Sequence, residues 1–294
     1  MSVAEIGAAP VLADADRVDP VVARRFSTRL LRSELGLVFG RRRNQAGLLV
    51  LVVVPVIIAI AVKVSNSSSR GGPDFFRSIT GNGLFVALAA LTIEMPLFLP
   101  LAVAAVAGDS IAGEASTGTL RYLLTVPVQR TRLLMVKYAS IVIFSVLATL
   151  AVALVGVAVG TALFPGGAMT LLSGTQVSFG DGLVRVLAAT AYLAVGFAAL
   201  GAIGLFISTL TEQPIGAMIA IVLVNVAMFI LDSIPQLDWL GPWLLTHWWP
   251  FFGDLFRSPV AWDDLQRGLL TSAVYAVFFG LLAWARFSAK DNTS

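Results

Sequence analysis

Residues Gly108–Lys137 read GDSIAGEASTGTLRYLLTVPVQRTRLLMVK. This polar stretch of 30 residues separates two long apolar runs. It starts acidic at Asp109 and Glu114, continues through Gly118-Thr119-Leu120 and Leu123-Leu124, turns at Pro127, and ends basic at Arg130, Arg132 and Lys137. Any polar sequence serves as a solvated connector. Leucines at helical spacing and charges in two blocks instead describe a segment built to be gripped by a partner on one side of a membrane.

The flanking runs establish the membrane. Hydrophobic residues are 57% of the 294-residue chain and charged residues 13%, against roughly 25% charged in soluble domains. Mean hydropathy is +0.88. A helix needs about 20 apolar residues to cross a bilayer. Six runs come near or exceed that length: 46–62, 84–107, 140–163, 183–207, 215–231 and 269–284. Backbone polar groups left unpaired in lipid are costly, so each run is expected to be a helix. A β-barrel is excluded, because the runs are continuous and lack the alternation of barrel strands. The predicted fold is all-α and polytopic. Its parts are a disordered tail over 1–20, an interfacial amphipathic helix over 21–43 and a six-span domain over 44–290, with short re-entrant helices before the last span.

Basic residues set the orientation. With the N-terminus in the cytoplasm, 14 of the 20 Lys and Arg fall on the inner side and 6 on the outer, as the positive-inside rule requires. The segment 108–138 is then cytoplasmic, as are both termini. The net charge of +3 reflects this topology and gives no basic stripe for nucleic acid. Residues 1–20 carry Glu5, Asp14, Asp16 and Asp19 without a basic start, unlike a signal peptide. The chain has no cysteine, which removes disulfides, thiol chemistry and Cys-ligated metal.

From Val21 to Gly40 apolar residues recur every three or four positions, with Arg24, Arg25, Arg29 and Arg32 between them. This describes a basic helix lying on the membrane surface. It serves either as a plain anchor or as an elbow that also touches a cytoplasmic partner. The loops 63–83 and 164–182 are Ser- and Gly-rich and are expected to be mobile. Asn66-Ser67-Ser68 matches a weak glycosylation sequon. Residues 208–214 form a very short turn, which makes spans four and five antiparallel neighbours. Five of the six tryptophans lie between Asp232 and Gly268, among four prolines. This region is read as an outer aromatic belt with broken helices. His247 is the only histidine and, without a patterned carboxylate, is read as structural or interfacial.

Catalytic signatures are missing. There is no GxxxxGK[ST], HExxH or GxSxG motif, so no catalytic residue and no metal ligand is assigned. Leu172-Ser173-Gly174-Thr175-Gln176 mimics an ATPase signature, but it lies in an expected outer loop of a chain without a nucleotide motif and is read as chance. Glu94 is different. It sits within the second span about 13 residues from the cytoplasmic end, roughly 20 Å deep at 1.5 Å per residue. A charge at that depth costs on the order of 3 kcal/mol, so Glu94 is expected to face the bundle interior. Two readings stay open: a translocation-path or proton-binding residue, or an internally satisfied packing residue. Asn225 in span five is its candidate hydrogen-bond partner. Pro96 and Pro100 are expected to kink the helix after Glu94. Gly156, Gly160, Gly196, Gly201 and Gly204 make spans three and four fit for close helix approach.

The segment 108–138 resembles the signature region of the ABC-2 type transporter permeases. The matching positions are Gly113-Glu114, Gly118-Thr119-Leu120, Leu123-Leu124, Pro127, Arg130 and Lys137. Gln129 stands where a small hydroxyl residue is more usual. The six spans, the N-terminal interfacial helix and the re-entrant region extend the resemblance over residues 21–290. It implies a permease subunit of an ATP-binding cassette exporter in a bacterial plasma membrane. Two permease copies, or two homologous permeases, would pair, and two copies of a separate ATPase subunit would dock on them. ATP and Mg would be bound by that ATPase, with no cofactor in this chain and no enzyme activity of its own. Asp109 and Glu114 would meet basic groups of the ATPase. Leu120, Leu123 and Leu124 would fill its groove, and Arg121 and Arg130 would fix the register. The cargo would be a small amphiphilic compound or drug. The rival classes are an ATP-independent secondary transporter and a non-transport membrane scaffold.

Overall fold

The structure is a computed structural model and describes residues 28–65, 81–118 and 130–289. Helix α1 is Thr28–Gly40, α2 Arg42–Ser65, α3 Leu84–Glu94, α4 Phe98–Ser116, α5 Arg130–Leu163, α6 Phe179–Leu210, α7 Pro214–Asp232 and α8 Trp262–Ala289. A two-residue hairpin pairs β1 (Met169–Thr170) with β2 (Gln176–Val177). Two 3-10 segments, Pro235–Trp243 and Thr246–Phe256, lie between α7 and α8. Six helices are long and apolar enough to cross a membrane: α2, α4, α5, α6, α7 and α8. The chain is an all-α polytopic membrane protein.

The expected spans are all present, with one change of form. The second is two helices, α3 and α4, separated by a turn at Met95–Leu97. Proline chemistry explains the break. Pro96 offers no N–H to the Thr92 carbonyl, and Pro100 offers none to the Pro96 carbonyl. Pro100 itself is tolerated in the first turn of α4, where an N–H has no helical partner.

α6 is the central helix. It packs against α8, α5, α4 and α7, while α5 also contacts α3, α2 and α1. Apolar burial gains little inside lipid, so such helices associate through close packing. The glycines supply it. A Cβ on Gly160 would lie 2.0 Å from the Gly83 carbonyl oxygen, and one on Gly108 would lie 2.8 Å from the Met218 nitrogen. α3 therefore meets α5, and α4 meets α7, nearly backbone to backbone. The connector from α6 to α7 is short, as expected, but Ser208 and Thr209 are helical and buried.

Two expectations about the other end of the bundle are corrected. Residues 164–182 are ordered: Met169 and Leu171 are buried, and the Leu172 N–H bonds to the Phe256 carbonyl at 2.8 Å. The ATPase-like Leu172–Gln176 string runs through the hairpin turn into β2, with Gly174 at φ +81, a conformation that suits glycine. The tryptophans also divide. Trp239, Trp243 and Trp262 are exposed, as a belt requires, whereas Trp248 and Trp249 are buried. Trp249 rests edge-on against Phe197 with centroids 4.8 Å apart, in a space that exists because residue 196 has no side chain. Prolines 235, 242 and 250 withhold N–H donors and favour short 3-10 turns here.

Candidate functional site

The segment singled out at the sequence level begins on α4 and ends inside α5. Thr119, Leu120, Arg121, Leu123, Leu124 and Pro127 lie outside the described residues. Asp109, Glu114, Gly118, Arg130 and Lys137 are described, and four of these five turn to partners within the chain.

Lys137 is 1% exposed, and its Nζ donates to Glu34 Oε1 of α1 at 2.9 Å and to Glu114 Oε1 of α4. One ammonium thus ties three helices. Lys137 is thus held inside the bundle and not on an open surface. Asp109 takes Arg41 and, at 3.5 Å, Arg43. Arg43 also donates to the Ala105 carbonyl at 3.0 Å. The two groups face one small cavity, with Asn44 and Ser140 in its wall. Three acids (Glu34, Asp109, Glu114) stand against three bases (Arg41, Arg43, Lys137), so the cluster balances. Isolated buried charges are costly and persist when paired. Asp109 and Glu114 were expected to meet basic groups of another protein; their partners are in this chain.

Arg130 is likewise turned inward. Its guanidinium donates to the Ser288 carbonyl at 2.9 Å and the Phe287 carbonyl at 3.5 Å. A cation at the C-terminus of α8 satisfies carbonyls that the helix leaves open. Gly118, at φ +72 and exposed, is the left-handed residue that ends α4. Its N–H bonds to the Ala115 carbonyl at 3.1 Å, as helix-ending glycines do.

Ser208, near the end of α6, is a functional candidate that sequence reading passed over. Its Oγ donates to the Gly108 carbonyl at 2.9 Å and accepts from the N–H groups of Ile111 and Ala112 at 3.1 and 2.9 Å. One hydroxyl from a neighbouring helix therefore serves three backbone groups of α4, one turn before Glu114. The only signal in the sequence was a serine at the edge of an apolar run.

The second centre is the α3–α4 break. Glu94 and Asn225 are both fully buried. Asn225 Nδ2 donates to the Pro96 carbonyl at 2.9 Å, replacing the N–H that Pro100 lacks. Both carboxyl oxygens of Glu94, and Asn225 Oδ1, have no hydrogen-bond partner among the described residues. The expected Glu94–Asn225 bond is therefore not made, and Asn225 serves the backbone of the same break. Neither residue lines the apolar groove of about 410 Å³ between α5, α6 and α8.

At the opposite end, His247 Nδ1 lies 2.6 Å from Asp232 Oδ1. The carboxylate that was not apparent near the histidine comes from the last residue of α7, and Gly241 packs beside both. Among the described residues no three His, Cys, Asp or Glu gather as a metal site.

Residues 48–293 match the family described as Protein of unknown function (DUF2705). The chain belongs to this family. The match runs from within the second turn of α2 past the end of α8, so it takes in all or most of every membrane-crossing helix, the charge cluster apart from Glu34, Arg41, Arg43 and Asn44, and the helix break. No curated protein matches the sequence.

Proposed function

We propose that the chain is the membrane-spanning permease subunit of an ATP-binding cassette exporter, paired with a second permease and driven by a separate ATPase. The observation that carries this reading is the three-helix tie at Lys137. The stretch that resembles a coupling element leaves α4 at Gly118 and enters α5 at Arg130. A push on that stretch reaches both helices together, because Glu114 of α4, Lys137 of α5 and Glu34 of α1 are held by one ammonium. From there the load passes to α6 through Ser208 and to the end of α8 through Arg130. Asp109, Glu114 and Lys137 then transmit force inside the permease, and contact with the ATPase falls to 119–129.

In this reading the α1 end of the bundle is cytoplasmic, α1 lies in the interface, and the 3-10 segments dip into the outer leaflet of a bacterial plasma membrane. The cargo is a small amphiphilic molecule. The second reading, an ATP-independent transporter, is favoured by Glu94 alone, since an intramembrane carboxyl is characteristic of ion-coupled carriers.

The test is purification of the full-length tagged chain in mild detergent, beside an Arg121→Glu variant. A near-equimolar ABC ATPase in the first and its loss in the second is the expected result. A folded chain that never carries an ATPase would remove the exporter reading and leave a secondary transporter or a scaffold.

A further inference from the structure

We infer that the α3–α4 break is an exchangeable proton site, with Glu94 as the group that takes and releases the proton and Asn225 as its positioning residue. The argument begins with an imbalance of hydrogen-bonding groups. Glu94 contributes two carboxyl oxygens and Asn225 one amide oxygen, all buried and without partners among the described residues. The one amide donor in place, Asn225 Nδ2, is committed to the Pro96 carbonyl. Pro96 and Pro100 add no N–H. Glu94 is also the last residue of α3, where the helix dipole is negative. The first-turn N–H groups of α4 also lie at the break, but none of them bonds to a Glu94 oxygen, since both oxygens are without partners.

A bare carboxylate in such a place is expensive, and the ordinary remedy is a proton. The count of oxygens also selects the proton over a metal cation. Hard divalent cations gather about six or more oxygens, usually with several carboxylates among them, whereas the uncommitted side-chain oxygens here are those of one carboxyl and one amide. No basic side chain substitutes for the proton. On the helices packed against α3 and α4, the charged groups are Arg42, Arg43 and Lys63 on α2, Arg130, Arg132 and Lys137 on α5, Asp181 and Arg185 on α6, and Asp232 on α7; α4 itself carries Asp109 and Glu114. Apart from Asp109 and Lys137, which are paired within the charge cluster, these lie towards helix ends. The titratable hydroxyls of Tyr138 and Tyr192 donate to the Ala198 and Trp248 carbonyls.

Exchange requires that the break open, and the fold allows it. α7 turns only Ala217, Ile221 and Asn225 fully inward, one narrow stripe along its length. Withdrawal of this helix removes Asn225 from the Pro96 carbonyl and uncovers the carboxyl. The proposal does not depend on an ATPase partner.

The test is infrared difference spectroscopy of the full chain in lipid nanodiscs across a pH series, with Glu94→Gln as reference. A protonated carboxyl C=O band is expected in the wild type. It should fade as pH rises, be missing in Glu94→Gln, and ignore exchange of sodium or potassium for choline. Failure to find a band assignable to Glu94 overturns the proposal. A band that stays constant wherever the chain remains folded makes Glu94 a fixed structural acid and also overturns it. Loss of the band on adding sodium or potassium at constant pH reassigns the break as a cation site. Should Glu94→Gln not fold, dicyclohexylcarbodiimide labelling of the wild type decides. An adduct mapped to the Glu94 peptide and falling with rising pH supports the proposal, and one unaffected by pH opposes it.

Discussion

Lys137 illustrates how a single side chain changes meaning once its surroundings are known. In sequence it is the basic end of a polar connector. In the structure it is buried and shared by Glu34 and Glu114, 103 and 23 residues away. Removing one member of a buried ionic group typically costs about 3–5 kcal/mol, because the others are left uncompensated. Lys137→Met is therefore expected to lower the thermal unfolding temperature sharply in detergent. Glu114→Lys should do likewise, since it places two ammonium groups together. Combining Glu114→Lys with Lys137→Glu restores two acids and one base and should recover much of the loss; a strictly additive double variant would show that the two residues do not interact.

The α3–α4 pair shows the same dependence at the level of an element. The sequence predicts a kink from Pro96 and Pro100, and a break is found there. The prolines did not reveal what would satisfy the carbonyl they leave open. That group is Asn225, 129 residues away on another helix. Asn225→Leu should orphan the Pro96 carbonyl and cost about 1–3 kcal/mol. Adding Pro100→Ala returns an N–H and should reduce that cost, read as the difference between the two unfolding temperatures. If Pro100→Ala gives no relief, the carbonyl is not what Asn225 serves. Ser208 belongs beside Asn225. Each is an ordinary polar residue, one within an apolar run and one at the edge of a run, and its value comes from backbone groups on a helix that only folding brings near.

Across the whole molecule, α2, α7 and α8 show broad apolar faces, with Ile57, Leu223 and Phe278 each more than half exposed. In a membrane such faces meet lipid or a second copy. The proposed pairing of permeases covers one of them. The absence of cysteine makes the test clean: Ile57→Cys, Leu223→Cys and Phe278→Cys, each alone, in native membranes with a mild oxidant. One of the three is expected to give a disulfide-linked dimer. If none does at any of the three faces, pairing through them is ruled out and the functional proposal loses its second permease.

The number of spans, their helical nature, their approximate limits and the burial of Glu94 were all determined by the sequence. Those features rest on local apolarity and on the cost of unpaired backbone or charge in lipid, which a window of about 20 residues already expresses. Partnership was decided only by the tertiary structure. Asp109 and Glu114 looked free to meet another protein and instead bind Arg41, Arg43 and Lys137. His247 looked solitary and has Asp232. Trp249 looked like part of a belt and fills the space left by Gly196. A charge or a ring in a sequence states what it needs, and the packing of distant helices determines which group supplies it.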